Sequence, residues 1–186
     1  EVLAIEPDRR LHALAARAST ASGGVCRLRQ AGIEDLGAED LAARENVLLI
    51  DVLEHVEEDA WMLSAVWEKM APGAQLLCLL PALEGLYGRR DREVGHHRRY
   101  SRAAAERLFG GVPFRTVDYR YWNLLGVPVY WFCERILGRC VPESFRQGPR
   151  SPLRGAVNAG LLSWFRLIEN RIAPPWGLSL LVTAVK

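Results

Sequence analysis

Several features are missing from this 186-residue sequence, and each absence removes a class of protein. Its four cysteines, Cys26, Cys78, Cys133 and Cys140, form no CxxC pair. That disfavours a metal ribbon or a disulfide framework, and buried free thiols in a reducing, cytoplasmic compartment are expected. No internal repeat and no low-complexity tract is visible. The longest apolar stretch, Tyr121 to Cys133, contains Asn123 and Pro128 and is too short to span a bilayer. No signal-peptide pattern is seen, and the first residue is Glu1 rather than Met. Lysine is nearly absent, since 22 of the 24 basic residues are arginine, which can reflect genome composition as much as chemistry.

What is present suffices for one globular domain with a core, at 49% hydrophobic and 25% charged residues. The net charge of +2 hides a division. Residues 1 to 88 carry 15 acidic and 7 basic side chains, whereas residues 89 to 186 carry 7 acidic and 17 basic. The second half therefore suits an anionic partner: a phosphorylated substrate, a lipid headgroup surface or nucleic acid. A solvated arginine-rich surface would look the same. Aromatic and basic residues are not interleaved on a recognisable nucleic-acid module, so nucleic acid is the weakest of these partners.

Strand-like and helix-like patterns alternate along the chain. Val2 to Ile5 is a short apolar run, followed by a helical pattern to about Ala18 with Leu11, Leu14 and Ala15 on one face. Val25 to Leu28, Val47 to Ile50 and Leu76 to Leu80 read as further strands. The last two are continuous apolar runs, expected to be buried on both faces. Helices are predicted over Glu58 to Met70, with Trp61, Leu63, Val66, Trp67 and Met70 toward the core, and over Arg102 to Phe109. An alternating strand, Phe114 to Tyr121, and a last strand, Leu178 to Val185, enclose a helical insertion over residues 123–176. Its helices are predicted near Gly126 to Leu137 and Gly155 to Ile172, with a Pro/Gly/Arg-rich loop from Val141 to Arg154 between them. The alternation implies βαβ units and an α/β fold in one domain over residues 1–186.

Ligands in open α/β sheets bind at the carboxyl ends of strands. Glu6, ending the first strand, is placed to accept hydrogen bonds from both hydroxyls of a ribose. It can equally be a helix N-terminal acid, a role that Asp8 could fill. Asp51 and His55, four residues apart after the next buried strand, could bind a cofactor or move a proton. A loop histidine satisfied by backbone is the plainer reading of His55. No second His or Cys stands nearby at ligand spacing, so no metal site is expected. The stretch Asp91 to Tyr100 offers forked arginine donors for phosphate or carboxylate, among them Arg98 and Arg99, with His96 and His97 as candidate catalytic bases. These arginines could also pair with Asp91 and Glu93 in a structural loop. The aromatics of Tyr119 to Phe132 and Trp164-Phe165 could face a membrane, but core is the preferred reading.

Taken together, Glu6-Pro7-Asp8, Asp51-Val52-Leu53-Glu54-His55-Val56, Met70-Ala71-Pro72-Gly73-Ala74-Gln75-Leu76 and Leu80-Pro81-Ala82 resemble the class I S-adenosylmethionine-dependent methyltransferases. Leu86-Tyr87-Gly88, Asp91, Gly95-His96-His97-Arg98-Arg99-Tyr100-Ser101, Tyr121-Trp122-Asn123 and Pro174-Pro175-Trp176-Gly177-Leu178-Ser179-Leu180 are similar to a bacterial subgroup regarded as acting near cell-surface glycan or lipid-linked sugar pathways. The resemblance implies a Rossmann-like sheet, parallel except for an antiparallel last strand, and S-adenosyl-L-methionine as cofactor. It implies that Glu6 holds the ribose beside Pro7, and that Gly32 and Ile33 contact the adenine without the acid often seen at the Gly32 position. Asp51, Val52, Leu53 and His55 would lie beneath the methionine moiety. Asp91, Arg98, Arg99, Tyr100 and Asn123 would bind a small or lipid-linked anionic acceptor, with peripheral contact to the inner membrane.

The resemblance also calls for a strand and a glycine-rich loop ahead of Glu6. Nothing before Glu6 supplies them, and Gly23-Gly24 follows the wrong element, so an N-terminally truncated domain is expected. In the strand order 3-2-1-4-5-7-6, its missing first strand leaves two inner edges unpaired. Two other readings remain in view: a nicotinamide-dependent dehydrogenase, whose second strand also ends in a ribose-binding acid, and a catalytically inactive methyltransferase fold that serves as a binding module.

Overall fold

The computed structural model describes residues 2–21, 26–133 and 152–186. Two parallel strands, β1 (Val2–Ile5) and β2 (Cys26–Arg29), flank helix α1 (Arg9–Ala21) and form a small sheet of their own. After the short helix α2 (Ala38–Ala42) come β3 (Asn46–Ile50), α3 (Asp59–Lys69) and β4 (Gln75–Pro81). The five-residue α4 (Arg89–Glu93) and α5 (Arg102–Gly110) lead to β5 (Thr116–Trp122). The insertion contributes α6 (Gly126–Trp131) and α7 (Pro152–Leu167) before the last strand, β6 (Ser179–Val185). The predicted loop from Val141 to Arg154 and Cys140 lie largely or wholly outside the described residues.

The second sheet has the order β3-β4-β6-β5, with β3 and β4 parallel and β6 antiparallel to both β4 and β5. Expressed in the expected numbering, the two sheets are 3-2 and 4-5-7-6. Among the described residues, β1 and β3 each pair on one side only.

Burial separates central strands from edges. In β6 every second residue, Leu180, Val182 and Ala184, is buried, as are Leu76, Cys78 and Leu80 of β4. These pack with Leu63, Val66 and Met70 of α3 and with Ala105 and Phe109 of α5 to make the core. Ser101 opens α5 by accepting the Ala104 N–H on its hydroxyl at 3.2 Å. At the other end of α3, Lys186 Nζ donates to the carbonyls of Trp67 and Met70 at 2.7 and 2.8 Å, satisfying orphan acceptors at the helix C-terminus.

Four expectations change. The strand β3 is not buried on both faces: Leu48 is 58% and Ile50 53% exposed, because it is an edge strand with only Leu49 buried in the core. The apolar face of α1 is exposed at Leu11 and Leu14, since a two-stranded sheet is too narrow to cover it. Trp61 points to solvent from the first turn of α3 while its neighbours Leu63 and Val66 are buried. Of the thiols, Cys26, Cys78 and Cys133 are free, but only Cys78 is buried.

The insertion is tied to β5 by a buried acid. Glu169 accepts Leu124 N–H at 2.9 Å and Trp164 Nε1–H at 2.7 Å, while Arg120 of β5 donates to the Glu169 and Ile172 carbonyls. Trp122 stacks on Phe165 with ring centroids 4.8 Å apart. The entry to β6 passes so close to β5 that a Cβ on the buried Gly177 would collide with the Trp122 carbonyl oxygen and lie 2.8 Å from its backbone nitrogen. Gly177→Ala is expected to cost about 1–3 kcal/mol, seen as a lower urea midpoint at unchanged slope.

Candidate functional site

Among the described residues, three non-glycine residues have left-handed backbone: Asp51 (φ 51°), Leu83 (φ 64°) and Asn123 (φ 65°). Each stands just past the carboxyl end of a strand, namely β3, β4 and β5, which run in the same direction. Conformational strain of this kind collects where side chains are aimed at a purpose. Of the expected site residues, Asp51, Val52, Leu53, His55 and Asn123 follow these strand ends directly, and the segment 97–100 runs back to the end of β4.

At the end of β3, Val52 leads into one turn of 3-10 helix, Leu53–His55, whose Leu53 and Glu54 are completely buried while His55 is exposed. The segment 97–100 runs back past this turn. His97 N–H donates to the Glu54 carbonyl at 2.7 Å, Tyr100 N–H to the Pro81 carbonyl at 2.8 Å, and Leu83 N–H to the Tyr100 carbonyl at 3.1 Å. Tyr100 thereby bridges to Ala82 in parallel, extending the sheet beyond β4. Gly95 makes the reversal possible with φ 83°, and its carbonyl lies 3.2 Å from His55 Nδ1.

Asp91 is the hub. It is buried, and its carboxylate accepts Arg99 Nε–H at 2.8 Å and Gly88 N–H at 2.9 Å. His96 Nδ1 lies at 3.0 Å and the Tyr130 hydroxyl, from the insertion, at 3.2 Å. Burial opposes ionisation of Asp91, but the bonds from Arg99 and Gly88 outweigh it and hold the carboxyl below the usual carboxylate range. The Arg99 guanidinium also stacks 4.5 Å from the Tyr130 ring centroid and donates to the Ala82 carbonyl. Burial lowers His96, partly offset by Asp91, which makes the neutral ring with its proton on Nδ1 the natural partner of that carboxylate.

Glu54 is the outlier. Neither of its carboxylate oxygens has a hydrogen-bond partner among the described residues. Burial pushes its pKa up to about 7, with the Asp51 carboxylate adding to the effect. The edge of the His96 ring meets His55 with centroids 4.7 Å apart, and His96 Nε2 is 3.9 Å from Glu54 Oε1.

Burial gives most of the expected substrate residues partners within the protein. Asp91, Arg99 and Tyr100 turn their polar atoms to protein partners, as groups so buried must. The Tyr100 hydroxyl donates to Asp59 Oδ2 at 2.8 Å, and burial together with that carboxylate raises its pKa, keeping it a donor. Asn123 spends its side-chain oxygen on Gly126 N–H at the start of α6. Arg98 pairs with Asp59 at 2.9 Å and with the Glu57 carbonyl, and together with Arg99 and Tyr100 it lines an open cleft of about 490 Å³ beside Glu84, Tyr87 and the exposed His97. His96 is lodged behind this segment on Asp91 and is absent from the cleft lining.

On the cofactor side, Glu6 is half-buried at the end of β1, with Oε1 accepting Asp8 N–H at 2.9 Å. Pro7 is exposed. Asp8 caps α1 by accepting Arg10 and Leu11 N–H at 2.8 Å, so the helix-capping role belongs to Asp8. Gly32 and Ile33 lie buried in the turn after β2, with Ile33 packed into the same core as Leu49 and Leu53. Asp51 is exposed and Val52 half-buried. Sequence reasoning missed Glu54 as a site residue and the closeness of His96 to His55. The signal for the first was an acid directly before His55 inside an apolar segment; the second rests on a 41-residue separation that only the fold closes.

The sheet order, the single antiparallel strand and the loops at the carboxyl edge define the fold of class I S-adenosylmethionine-dependent methyltransferases. No protein-family profile and no curated protein sequence matches the chain, but solved structures do. The whole chain superposes on 76% of a SAM-dependent methyltransferase from Archaeoglobus fulgidus, with TM-score 0.53 and 11% identity. It superposes on 43% of phosphoethanolamine N-methyltransferase 2 from Haemonchus contortus in complex with S-adenosyl-L-methionine, with TM-score 0.60 and 13% identity. It also superposes on 66% of the cyclase SpnF, with TM-score 0.58 and 12% identity. At such identities the likeness is one of fold, and the cyclase shows that this fold carries more than one chemistry.

Removing the hub should be costly. Asp91→Ala is expected to lower stability by about 3–5 kcal/mol, because Arg99 is left buried without its counter-charge. Urea unfolding of the variant against the parent chain measures it.

Proposed function

We propose that this chain is a methyltransferase domain that uses S-adenosylmethionine and acts on a small or lipid-linked acceptor bearing negative charge. The observation that carries this reading is the arrangement at the strand ends. A half-buried acid, Glu6, closes β1, the buried Gly32–Ile33 turn closes β2, and Asp51 with its 3-10 turn closes β3. The Glu6 carboxylate, oriented by Asp8 N–H, suits the two hydroxyls of a ribose, and the apolar turn at Ile33 suits the flat face of an adenine. These residues fit the nucleoside end of the cofactor. A glycine-rich loop for its methionine end is not among the described residues.

When bound, S-adenosylmethionine supplies a methyl group on a sulfonium centre that leaves as a neutral thioether. The chain's own part is to hold the acceptor oxygen or nitrogen in line and to take up its proton. His97 is the candidate base, since its ring lines the cleft beside Arg98 while His96 is turned inward. Arg98 and Arg99 bring the cleft guanidinium donors for a negatively charged group, countered by the Asp59 and Glu84 carboxylates on the same wall. The Haemonchus neighbour is named for a phosphorylated amine, a substrate class that such a cleft would accommodate.

Support for a lipid-linked acceptor comes from the insertion. Tyr119 and Tyr121 pack on the core and Tyr130 is buried, as the core reading expected, but Trp131 and Phe132 are each 49% exposed. Leu162, Leu167 and Trp176 add further exposed apolar surface. No described helix is long and apolar enough to cross a membrane, so this surface would rest on a headgroup layer rather than pass through it.

Two measurements test the reading. In calorimetric titrations the chain is expected to bind S-adenosylhomocysteine, and Glu6→Ala to weaken that binding about 10- to 100-fold through loss of charge-assisted hydrogen bonds. Thermal stabilisation by NAD but not by S-adenosylmethionine would overturn it. In vesicle sedimentation, anionic vesicles should retain the chain, and the double substitution Trp131→Ala and Phe132→Ala should release it. Equal recovery with neutral vesicles, or no effect of the substitutions, would remove the membrane part of the proposal.

A further inference from the structure

We propose that Glu54, His55 and His96 form a binding site for one divalent first-row transition-metal ion, of which zinc is the test case. One ligand atom from each of the three lies within 4.8 Å of the others. The inference stands on geometry and does not depend on the methyltransferase reading.

The first argument is the buried acid. Glu54 has no exposed surface, and neither of its oxygens is met by a donor among the described residues. A carboxylate so placed is one of the costliest groups a protein can bury unless a cation or donors meet it. The nearby cation is already committed, for Arg99 spends its guanidinium on Asp91 and on the Ala82 carbonyl. The groups that do approach the Glu54 carboxylate are imidazoles, which bring lone pairs of their own.

The second argument is the orientation of those imidazoles. His96 Nδ1 is held at 3.0 Å by the Asp91 carboxylate, so Nε2 carries the lone pair, and it lies 3.9 Å from Glu54 Oε1. His55 Nδ1 is 3.2 Å from the Gly95 carbonyl, and the tautomer that donates there carries its lone pair on Nε2. A carboxylate or carbonyl behind each ring is how metal-binding histidines are fixed in tautomer and direction. Asp91 in turn is anchored by Arg99, Gly88 and Tyr130, so one of the two rings is set rigidly while the exposed His55 is free to adjust.

The third argument is the donor set. Two imidazole nitrogens and one carboxylate oxygen favour zinc, iron, cobalt or nickel over magnesium or calcium, which prefer oxygen. Ligands about 2.0–2.2 Å from a tetrahedral zinc ion stand about 3.3 Å apart. Closing the widest separation from 4.8 Å is a movement of about 1.5 Å, shared between the His55 ring and the Glu54 side chain, which also brings Oε1 nearer than its present 3.9 Å from His96 Nε2. Three protein ligands leave further positions for water or a ligand oxygen, as in an open rather than a closed site. The sequence argument against a metal was that no second histidine stood near His55; in space His96 does.

The test uses the whole chain stripped with a chelator and titrated with Zn²⁺ by calorimetry. One ion per chain is expected, with binding weakened at least 10-fold in Glu54→Gln and in His96→Ala and unchanged in His12→Ala. Thermal unfolding without metal checks that each variant is folded. Should His96→Ala fail to fold, imidazole ¹⁵N spectra of the parent chain decide: Zn²⁺ must shift the ring signals of His55 and His96 and spare His12. Absence of saturable binding, an affinity equal in Glu54→Gln and the parent, or shifts confined to other histidines would overturn the proposal.

Discussion

A single buried carboxylate holds together the part of the molecule that faces its ligands. Asp91 gathers Arg99 and His96 from the returning segment, Gly88 from the start of α4 and Tyr130 from the insertion. Three stretches, the distant insertion among them, are thereby fixed to the end of β4, because a charge without solvent must have its lone pairs met. Without it the segment 97–100 would keep its backbone bonds and the ties of Arg98 and Tyr100 to Asp59, but Arg99 would lie buried without a counter-charge. The positions of His96, His97 and Arg98 are downstream of that one interaction.

The sheet contributes a second, larger-scale constraint. With β6 between β4 and β5, the most deeply buried alternation in the chain lies at the centre of the four-stranded sheet, and α3 and α5 pack on it. The strand ends that matter are consequently anchored in the firmest region. By contrast β1, β2 and α1 expose apolar side chains and form a narrow unit, and the nucleoside-side residues Glu6 and Gly32 belong to that unit. The two halves of the proposed site thus rest on foundations of different depth.

Much of this was legible in sequence, for reasons that can be named. Continuous apolar runs gave β4 and the periodic segment gave α3 to within a residue or two, because both are decided by local pattern. The helix α2 was missed, being five residues long inside a polar stretch, and so was α4, whose start is made by Asp91 rather than by a hydrophobic face. Exposure of Leu48 and Ile50 could not be read, since an apolar run looks alike whether one or two sides of a strand are paired. In the candidate site, the residue types of the segment Asp91 to Tyr100 were singled out, but which of them face a cleft and which face each other depends on a reversal at Gly95 and on the distant Tyr130. Glu54 was passed over because the only sign of its burial is the apolar company of Val52, Leu53 and Val56, and an acid there reads more readily as a loop residue.

The left-handed trio Asp51, Leu83 and Asn123 has a consequence for anyone who would make this protein sturdier. Backbone strain is a reserve of stability that glycine substitution can release, and here the reserve is held almost entirely on one rim. Selection for heat resistance alone would therefore drift toward glycine at those three positions and soften the loops that aim side chains into the cleft. Robustness and the geometry of the candidate site would compete for the same few residues, so a hardened variant is better sought on the opposite side of the sheet, among the turns that lead into the strands.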